Sequence, residues 1–415
     1  MDFSHTEDDE AFRTELVDWL DENLPKFLAE WADNEDDAGA GPATGPMLAQ
    51  MERRRAWQRK LNEGRWAAIS WPREWGGREA TVTQNVIYSE TMAKYRTPGI
   101  YNANGLWQIG PMIIRWGTDE QKALWVNNIL NADDHWCQGF SEPQAGSDLA
   151  NLRTTAVLDV SGPNGPDPDG GEYVLNGEKT WTSSAHLAKW GLFLVRTDPD
   201  AIAEGRKHDG ITALIIDLDV PGITVTPIRD ISGEEMFCSV VFDDARVPAS
   251  YRLGGEGEGW LVAMGTLGSE RVGTAGLAIG MRADLDAMVS LARSVNPDAL
   301  RDPAIRERVA DAHTRIEYTK LLNYRALSKI LRNEKNWPEV PLAKLQWSYL
   351  AQTLAELAVD LLGPDALAAK GAEGAIDGGA WNRLYVFQRY TSIGAGTTEV
   401  QKNIIADKAI KMPRS

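Results

Sequence analysis

Apolar residues recur at three- and four-residue intervals through the first third of the chain, which predicts helices from about residue 8 to residue 130. "EDDEAFRTELVDWLDENLPKFLAEW" is the clearest case, and "TDEQKALWVNNIL" opens with Thr118 and Gln121 spaced as a capping box before an apolar stripe. "GAGPATG", Gly39 to Gly45, reads as a loop, because its glycines and proline deny any regular element.

The texture changes near Asp133. "TTAVLDV", "GEYVLNGEKTWTSS", "WGLFLVRTD", "ITALIIDLDV", "ITVTPIRD" and "MFCSVVFDD" are short, β-branched or aromatic, and separated by turn signals such as "SGPNGPDPDGG". Asn176-Gly177 predicts a hairpin turn, with Trp181, Thr182 and Ser183 on the returning strand. After "LGGEGEGW" the helical interval returns. Two long helices are predicted between about 258 and 332. A third carries Leu350, Leu354, Leu357 and Leu361 and is stopped by Gly363 and Pro364, and "EVQKNIIADKAI" forms a last one. The chain therefore reads as a multidomain α and β protein: an N-terminal helical domain (1–132), a middle β-barrel or sandwich domain (133–250) and a C-terminal four-helix bundle (251–415). No internal repeat is evident, and no G-x-G-x-x-G follows a strand, which argues against a Rossmann unit.

Composition narrows the function classes. With 415 residues, 43% hydrophobic and 25% charged, the chain is globular and long enough for two or three cores. No apolar run approaches the roughly 20 residues of a membrane span. The acidic start "MDFSHTEDDE" predicts a cytoplasmic location. A net charge of -17 excludes nucleic acid as the main partner but not a phosphate-bearing small molecule, which needs only local donors. Cys137 and Cys238 are expected to be buried and reduced, and the five histidines show no metal-binding spacing, so no metal site is expected.

Three runs could carry chemistry. "WCQGFSEPQAGSDLANL" reads as a strand end followed by a loop whose Ser141, Gly146 and Ser147 offer N–H and hydroxyl donors to an anion or a heteroaromatic edge; it also reads as an ordinary polar turn. In "LNGEKTWTSSAHLAKW", Trp181 beside Thr182 and Ser183 can stack on a planar ring while the hydroxyls bond its edge, although a lone strand tryptophan also suits a core. On a helix, Ala263, Leu267, Glu270, Thr274, Leu277 and Met281 form one stripe, so Glu270 falls among apolar and small residues. It reads either as one half of a salt bridge, by way of Arg271, or as a base made stronger by desolvation.

These runs, in this order and joined to "IGAGTTEVQKNIIADKAI", resemble the acyl-CoA dehydrogenase family. The resemblance extends to "WPREWGG" and "GTDEQK" before them and "DDARVPASYRLGGEGEGW" between them. It implies an FAD enzyme that oxidises an acyl-CoA thioester to its α,β-unsaturated product and passes electrons to an electron-transferring flavoprotein. Carried across residue by residue, it implies flavin contacts for Gln138, Phe140, Ser141, Ser147, Trp181, Thr182, Ser183, Thr397, Thr398 and Glu399, and substrate contacts for Ser147, Arg271 and Gly396.

Many members place the catalytic glutamate in the loop "TSIGAGTTEV", where this chain has Ala395. The resemblance to isovaleryl-CoA and long-chain acyl-CoA dehydrogenases instead implies Glu270 as the base. The Ala395 N–H would polarise the thioester carbonyl while a hydride passes from the β carbon to flavin N5. Two segments depart from the family pattern. "RSVNPDALRDPAIRERVADA" stands where relatives have RxxFGxP, and "DLLGPDA" stands where they have QxxGG, with Asp360 and Pro364 in place of Gln and Gly. Both serve the flavin diphosphate across a subunit boundary in relatives. The implied assembly is a homodimer or homotetramer; a non-catalytic or partner-dependent subunit of a hetero-oligomer is the alternative, and an oxidase using the same site is a further one.

Overall fold

The computed structural model describes residues 5–31, 47–161, 170–332, 334 and 338–413; the side chains of 47–49, 267–277 and 330–331 are outside the description. The "GAGPATG" loop therefore lies outside the described residues. In chain order the regular elements are α1 (Glu7–Glu30), α2 (Met47–Glu63), α3 (Val82–Lys94), α4 (Gly110–Trp116) and α5 (Asp119–Leu130). Strands follow: β1 (Trp136–Gly139), β2 (Thr155–Asp159), β3 (Glu172–Ser183), β4 (Trp190–Arg196), β5 (Ile211–Asp217), β6 (Ile223–Ile228) and β7 (Phe237–Pro248). Helices close the chain: α6 (Gly259–Val295), α7 (Pro303–Leu331), α8 (Glu339–Leu362), α9 (Ala380–Phe387) and α10 (Thr398–Ile404). The architecture is helical, then β, then helical, as the hydrophobic pattern predicts.

Spatially the chain gathers into two units. One comprises residues 1–54, 80–99 and 271–415, the other residues 55–79 and 100–270, so α6 begins in the second unit and ends in the first. In the first unit Leu350, Leu354, Leu357 and Leu361 are all buried, and they form one core with Met288 of α6, Ile316 of α7 and Trp381 of α9. Gly363 ends α8 with φ +87°, a conformation that glycine adopts without steric cost.

In the second unit a seven-stranded mixed sheet runs β1-β4-β2-β3-β7-β6, with β5 antiparallel to β4. β1 pairs with β4 in parallel, Trp136 opposite Trp190, and their indoles stack with centroids 6.0 Å apart. Trp125 of α5 meets the Trp136 ring edge-on at 6.3 Å. Thr118 and Gln121 form the expected capping box at the start of α5. Cys137 and Cys238 are both buried and free.

One expectation fails. Asn176-Gly177 makes no hairpin; β3 runs straight through it and pairs along its length with β7. Gly177 takes φ +143° at a bulge, where an added Cβ would lie 2.7 Å from the Thr154 Cα, and the Asn176 side chain bonds both the backbone and the side chain of Asp244 on β7. The dipeptide serves a bend in a long strand. The antiparallel return falls earlier, between β2 and β3, with Asp159 opposite Glu172; the turn expected in "SGPNGPDPDGG" lies mostly outside the described residues.

Candidate functional site

The second unit contains a groove of about 180 Å³ lined by Asn104, Gln108, Gln138, Phe140, Ser141, Thr180, Trp181 and Ser183. Five of these are residues that the sequence singles out. β1 delivers Gln138 at its C-terminal end, the following turn delivers Phe140 and Ser141, and the far end of β3 delivers Trp181 and Ser183.

Trp181 is the unusual member. Its φ of +58° is a left-handed conformation that non-glycine residues avoid, and its side chain is 56% exposed, with the Phe237 ring set edge-to-face with it at 5.8 Å. The pairing with β7 explains the backbone: Lys179 lies opposite Val240 and Thr182 opposite Cys238, so Thr180 and Trp181 together face Ser239. The Thr180 N–H leaves the ladder and donates to the Ser141 carbonyl at 2.9 Å. Thr182 points inward and is fully buried.

Beneath the turn, Glu142 and Lys179 form an ion pair of 2.6 Å with both side chains buried. The Glu142 oxygens also accept from the Arg153 and Thr154 N–H groups at 2.6 and 2.9 Å. Burial pushes the Glu142 carboxyl up, but the Lys179 charge and these donors outweigh it and hold it below the usual carboxylate range.

Two buried polar atoms of the expected flavin set lack partners among the described residues: Gln138 Oε1 and Thr182 Oγ1. Buried polar atoms are seldom left unpaired, because desolvation is then uncompensated. Thr182 lies outside the groove lining; an exposed indole face, a ring of hydroxyl and carboxamide groups and the unfilled Gln138 oxygen fit a planar heteroaromatic with a hydrogen-bonding edge, as in FAD. Ser147 is exposed in the turn and outside the groove lining.

The sequence pattern does not single out Asn104 and Gln108. A π-helical turn, Gly105–Ile109, places them on the groove, and Gly105 permits it: an added Cβ would lie 2.6 Å from the Asn102 side chain. Asn102 is itself buried and takes up the Trp136 N–H. The only local signal was two carboxamides four residues apart.

In the first unit, Ala395 and Gly396 both take positive φ, +53° and +83°, and both are exposed. Among the described residues no acceptor meets the Ala395 N–H. The Thr397 hydroxyl caps α10 by accepting from the Val400 N–H at 3.1 Å, and Glu399, exposed, takes a bond from the Thr398 hydroxyl at 2.9 Å. Its own backbone N–H and that hydroxyl lower its carboxyl pKa. Glu270 and Arg271 lie in α6 on the stretch whose side chains are outside the described residues. Among the described residues no cluster of His, Cys, Asp and Glu could hold a metal ion, and no helix is long and apolar enough to cross a membrane.

Comparison with known proteins gives this geometry its class. Residues 6–133, 137–245 and 257–410 match in turn the N-terminal, middle and C-terminal domains of acyl-CoA dehydrogenases. The chain belongs to the acyl-CoA dehydrogenase family and is an FAD-dependent oxidoreductase of lipid metabolism. Among individual relatives, it is 36% identical over 407 residues to acyl-CoA dehydrogenase IpdE1 of Mycolicibacterium smegmatis, covering 98% of each chain. It is 30% identical to acyl-CoA dehydrogenase FadE26 of Mycobacterium tuberculosis, covering 100% of each. Among solved structures, it resembles the Tcur3481-Tcur3483 steroid ACAD, with TM-score 0.81, 26% identity and 100% of each chain covered. It also resembles the ChsE4-ChsE5 complex from Mycobacterium tuberculosis, with TM-score 0.79, 27% identity and the same coverage.

Proposed function

We propose that the chain catalyses α,β-dehydrogenation of an acyl-CoA thioester with Glu270 as the base, and that its electrons go on to an electron-transferring flavoprotein. The observation that carries the reading is the groove with its unpaired buried Gln138 Oε1 beside the exposed Trp181, set in a chain that matches the family throughout.

The FAD, when bound, supplies the two-electron acceptor that no protein side chain can provide. In this reading Trp181 stacks on the ring system, and Gln138, Phe140, Ser141, Thr182 and Ser183 hold its edge. Ser147, Thr397, Thr398 and Glu399 hold the remainder of the cofactor. Glu270 removes the α proton, a role that an apolar setting favours by raising carboxylate basicity. The Ala395 N–H, which meets no acceptor among the described residues, donates to the thioester oxygen as charge develops there, and Gly396 leaves room for that approach. Arg271 and Ser147 contact the substrate. The domain division proposed is 1–132, 133–250 and 251–415.

A second reading concerns assembly. We infer that the chain takes its flavin as one partner of a hetero-oligomer. Two of the solved structures it resembles are named as pairs, and Asp360 stands where the family resemblance implies a neutral Gln facing a diphosphate. Asp360 is ion-paired with Arg308 of α7, within the same unit. An anion at that place opposes phosphate rather than donating to it. The likeness to Tcur3481-Tcur3483, which is a steroid ACAD, supports a polycyclic acyl group as the substrate.

One preparation tests both. A yellow homo-oligomer whose flavin is bleached anaerobically by an acyl-CoA supports the dehydrogenase alone. A colourless chain that gains flavin only on co-expression with a second acyl-CoA dehydrogenase chain supports the paired reading. Absence of bleaching by linear, branched, aromatic and polycyclic acyl-CoAs in the preparation that holds flavin overturns the proposed reaction.

A further inference from the structure

Lys179 is fully buried, yet it is not among the residues that line the groove. Its ammonium pairs with Glu142 at 2.6 Å and donates to the Phe140 carbonyl at 3.3 Å. The next residue, Thr180, donates its N–H to the Ser141 carbonyl at 2.9 Å. Two consecutive residues of β3 therefore hold three consecutive residues of the turn, and the residue after them is the left-handed Trp181.

Buried ion pairs are a poor source of stability. Desolvation of both charges offsets most of their attraction, and apolar pairs of similar volume replace them at little cost. What this one supplies is geometry. It fixes Phe140 and Ser141 on one wall, diverts the Thr180 N–H from β7, and so creates the bulge that keeps the Trp181 ring out on the groove.

We propose that the Glu142–Lys179 pair is a positioning device for the flavin-binding wall, acting through the Thr180–Ser141 hydrogen bond on Trp181. Neither member of the pair lines the groove. The inference rests on the flavin-site assignment above and adds residues which that assignment does not include.

The test compares the full-length wild type with Lys179→Met and with the neutral pair Glu142→Gln/Lys179→Met. It reads thermal midpoint, FAD dissociation constant and amide exchange at residues 176–184. Lys179→Met strands a buried carboxylate and lowers the midpoint; the neutral pair regains most of that loss. In the neutral pair FAD binding stays weaker by roughly tenfold, the scale of a lost coupling between contacting groups, and the Thr180 amide exchanges faster than in the wild type. A neutral pair with wild-type FAD affinity, or with unchanged protection at Thr180, overturns the proposal.

Should neither variant fold, the wild type decides. Burial draws Lys179 down to about 8 against the pull of Glu142, while Arg196 is the other charge facing it. FAD affinity then weakens as pH rises from 7 to 9.5, and a flat profile overturns the proposal. The exchange measurement needs no flavin. A wild type that binds no FAD, alone or co-expressed with a partner chain, therefore overturns the flavin-site assignment, while the Thr180 amide still decides the positioning role.

Discussion

Lys344 Nζ and the Ser348 hydroxyl converge on one atom, the Thr391 carbonyl oxygen, each at 2.8 Å and all three residues buried. The Thr391 hydroxyl returns a bond to the Ser348 carbonyl at 3.1 Å. α8 thereby anchors the first residue of the glycine-rich loop that contains Ala395. Burial lowers the Lys344 pKa, with Glu399 pulling the other way.

Because the Thr391 carbonyl has two donors, either can be lost while it remains satisfied. Lys344→Met and Ser348→Ala are each expected to cost about 1 kcal/mol. The double variant leaves a buried acceptor with neither donor, so its cost should exceed the sum by about 1–2 kcal/mol. Urea unfolding of the four proteins gives the comparison, and strict additivity would show that the two donors do not share one acceptor energetically.

Glu270→Gln should leave FAD bound and slow flavin reduction by acyl-CoA by ~10²-fold or more, the lower range for losing a positioned base. Rapid-mixing absorbance under anaerobic conditions reads the rate directly. Reduction at near the wild-type rate removes Glu270 from the mechanism.

Placing a carboxylate on the loop is the complementary change. Ala395 already bears a Cβ at φ +53°, so Ala395→Glu adds no new class of backbone clash, and the position is exposed. In a Glu270→Gln background this substitution should recover part of the reduction rate. A second-site variant as slow as its parent would show that the loop position cannot reach the α carbon in this chain.

Gln138→Leu separates cofactor binding from folding. Gln138 Oε1 is buried without a partner, so exchanging it for an apolar side chain should leave the flavin-free protein as stable or slightly more so. FAD affinity should fall by roughly tenfold, equivalent to about one hydrogen bond. A variant that loses stability but keeps its flavin affinity would show that the carboxamide serves the fold alone.

What the sequence made legible follows from how locally each feature is determined. The Thr118–Gln121 capping box and the α8 stripe from Leu350 to Leu361 are set by neighbours within one or two turns, and the structure has both. The hairpin preference of Asn176-Gly177 is local, while the pairing of the 12-residue β3 with β7 is not, and the longer ladder prevails. The same ladder hid the Trp181 bulge. Its cause is an N–H claimed by Ser141, from a distant part of the sequence, and no periodicity reports that. Asn104 and Gln108 were hidden for a related reason: only the fold brings a turn of the N-terminal helical region onto the edge of the sheet.

His135 allows a prediction in pH. Its side chain is buried, its Nδ1 has no partner among the described residues, and the Tyr101 ring packs against it at 5.0 Å. Burial first, then the proximity of His186, lowers its pKa from 6.5 to about 4. The folded protein thus keeps the imidazole neutral where the unfolded chain would protonate it. Between those values the unfolded state binds the extra proton, so this contribution is fully present above pH 6.5 and is lost as pH falls towards 4, reaching about 3 kcal/mol. His135→Phe keeps an aromatic ring against Tyr101 and removes the titration. The difference in unfolding free energy between wild type and variant should therefore shift in favour of the variant as pH drops from 7 to 4.5. Parallel curves over that range would mean that His135 takes up its proton without leaving the fold.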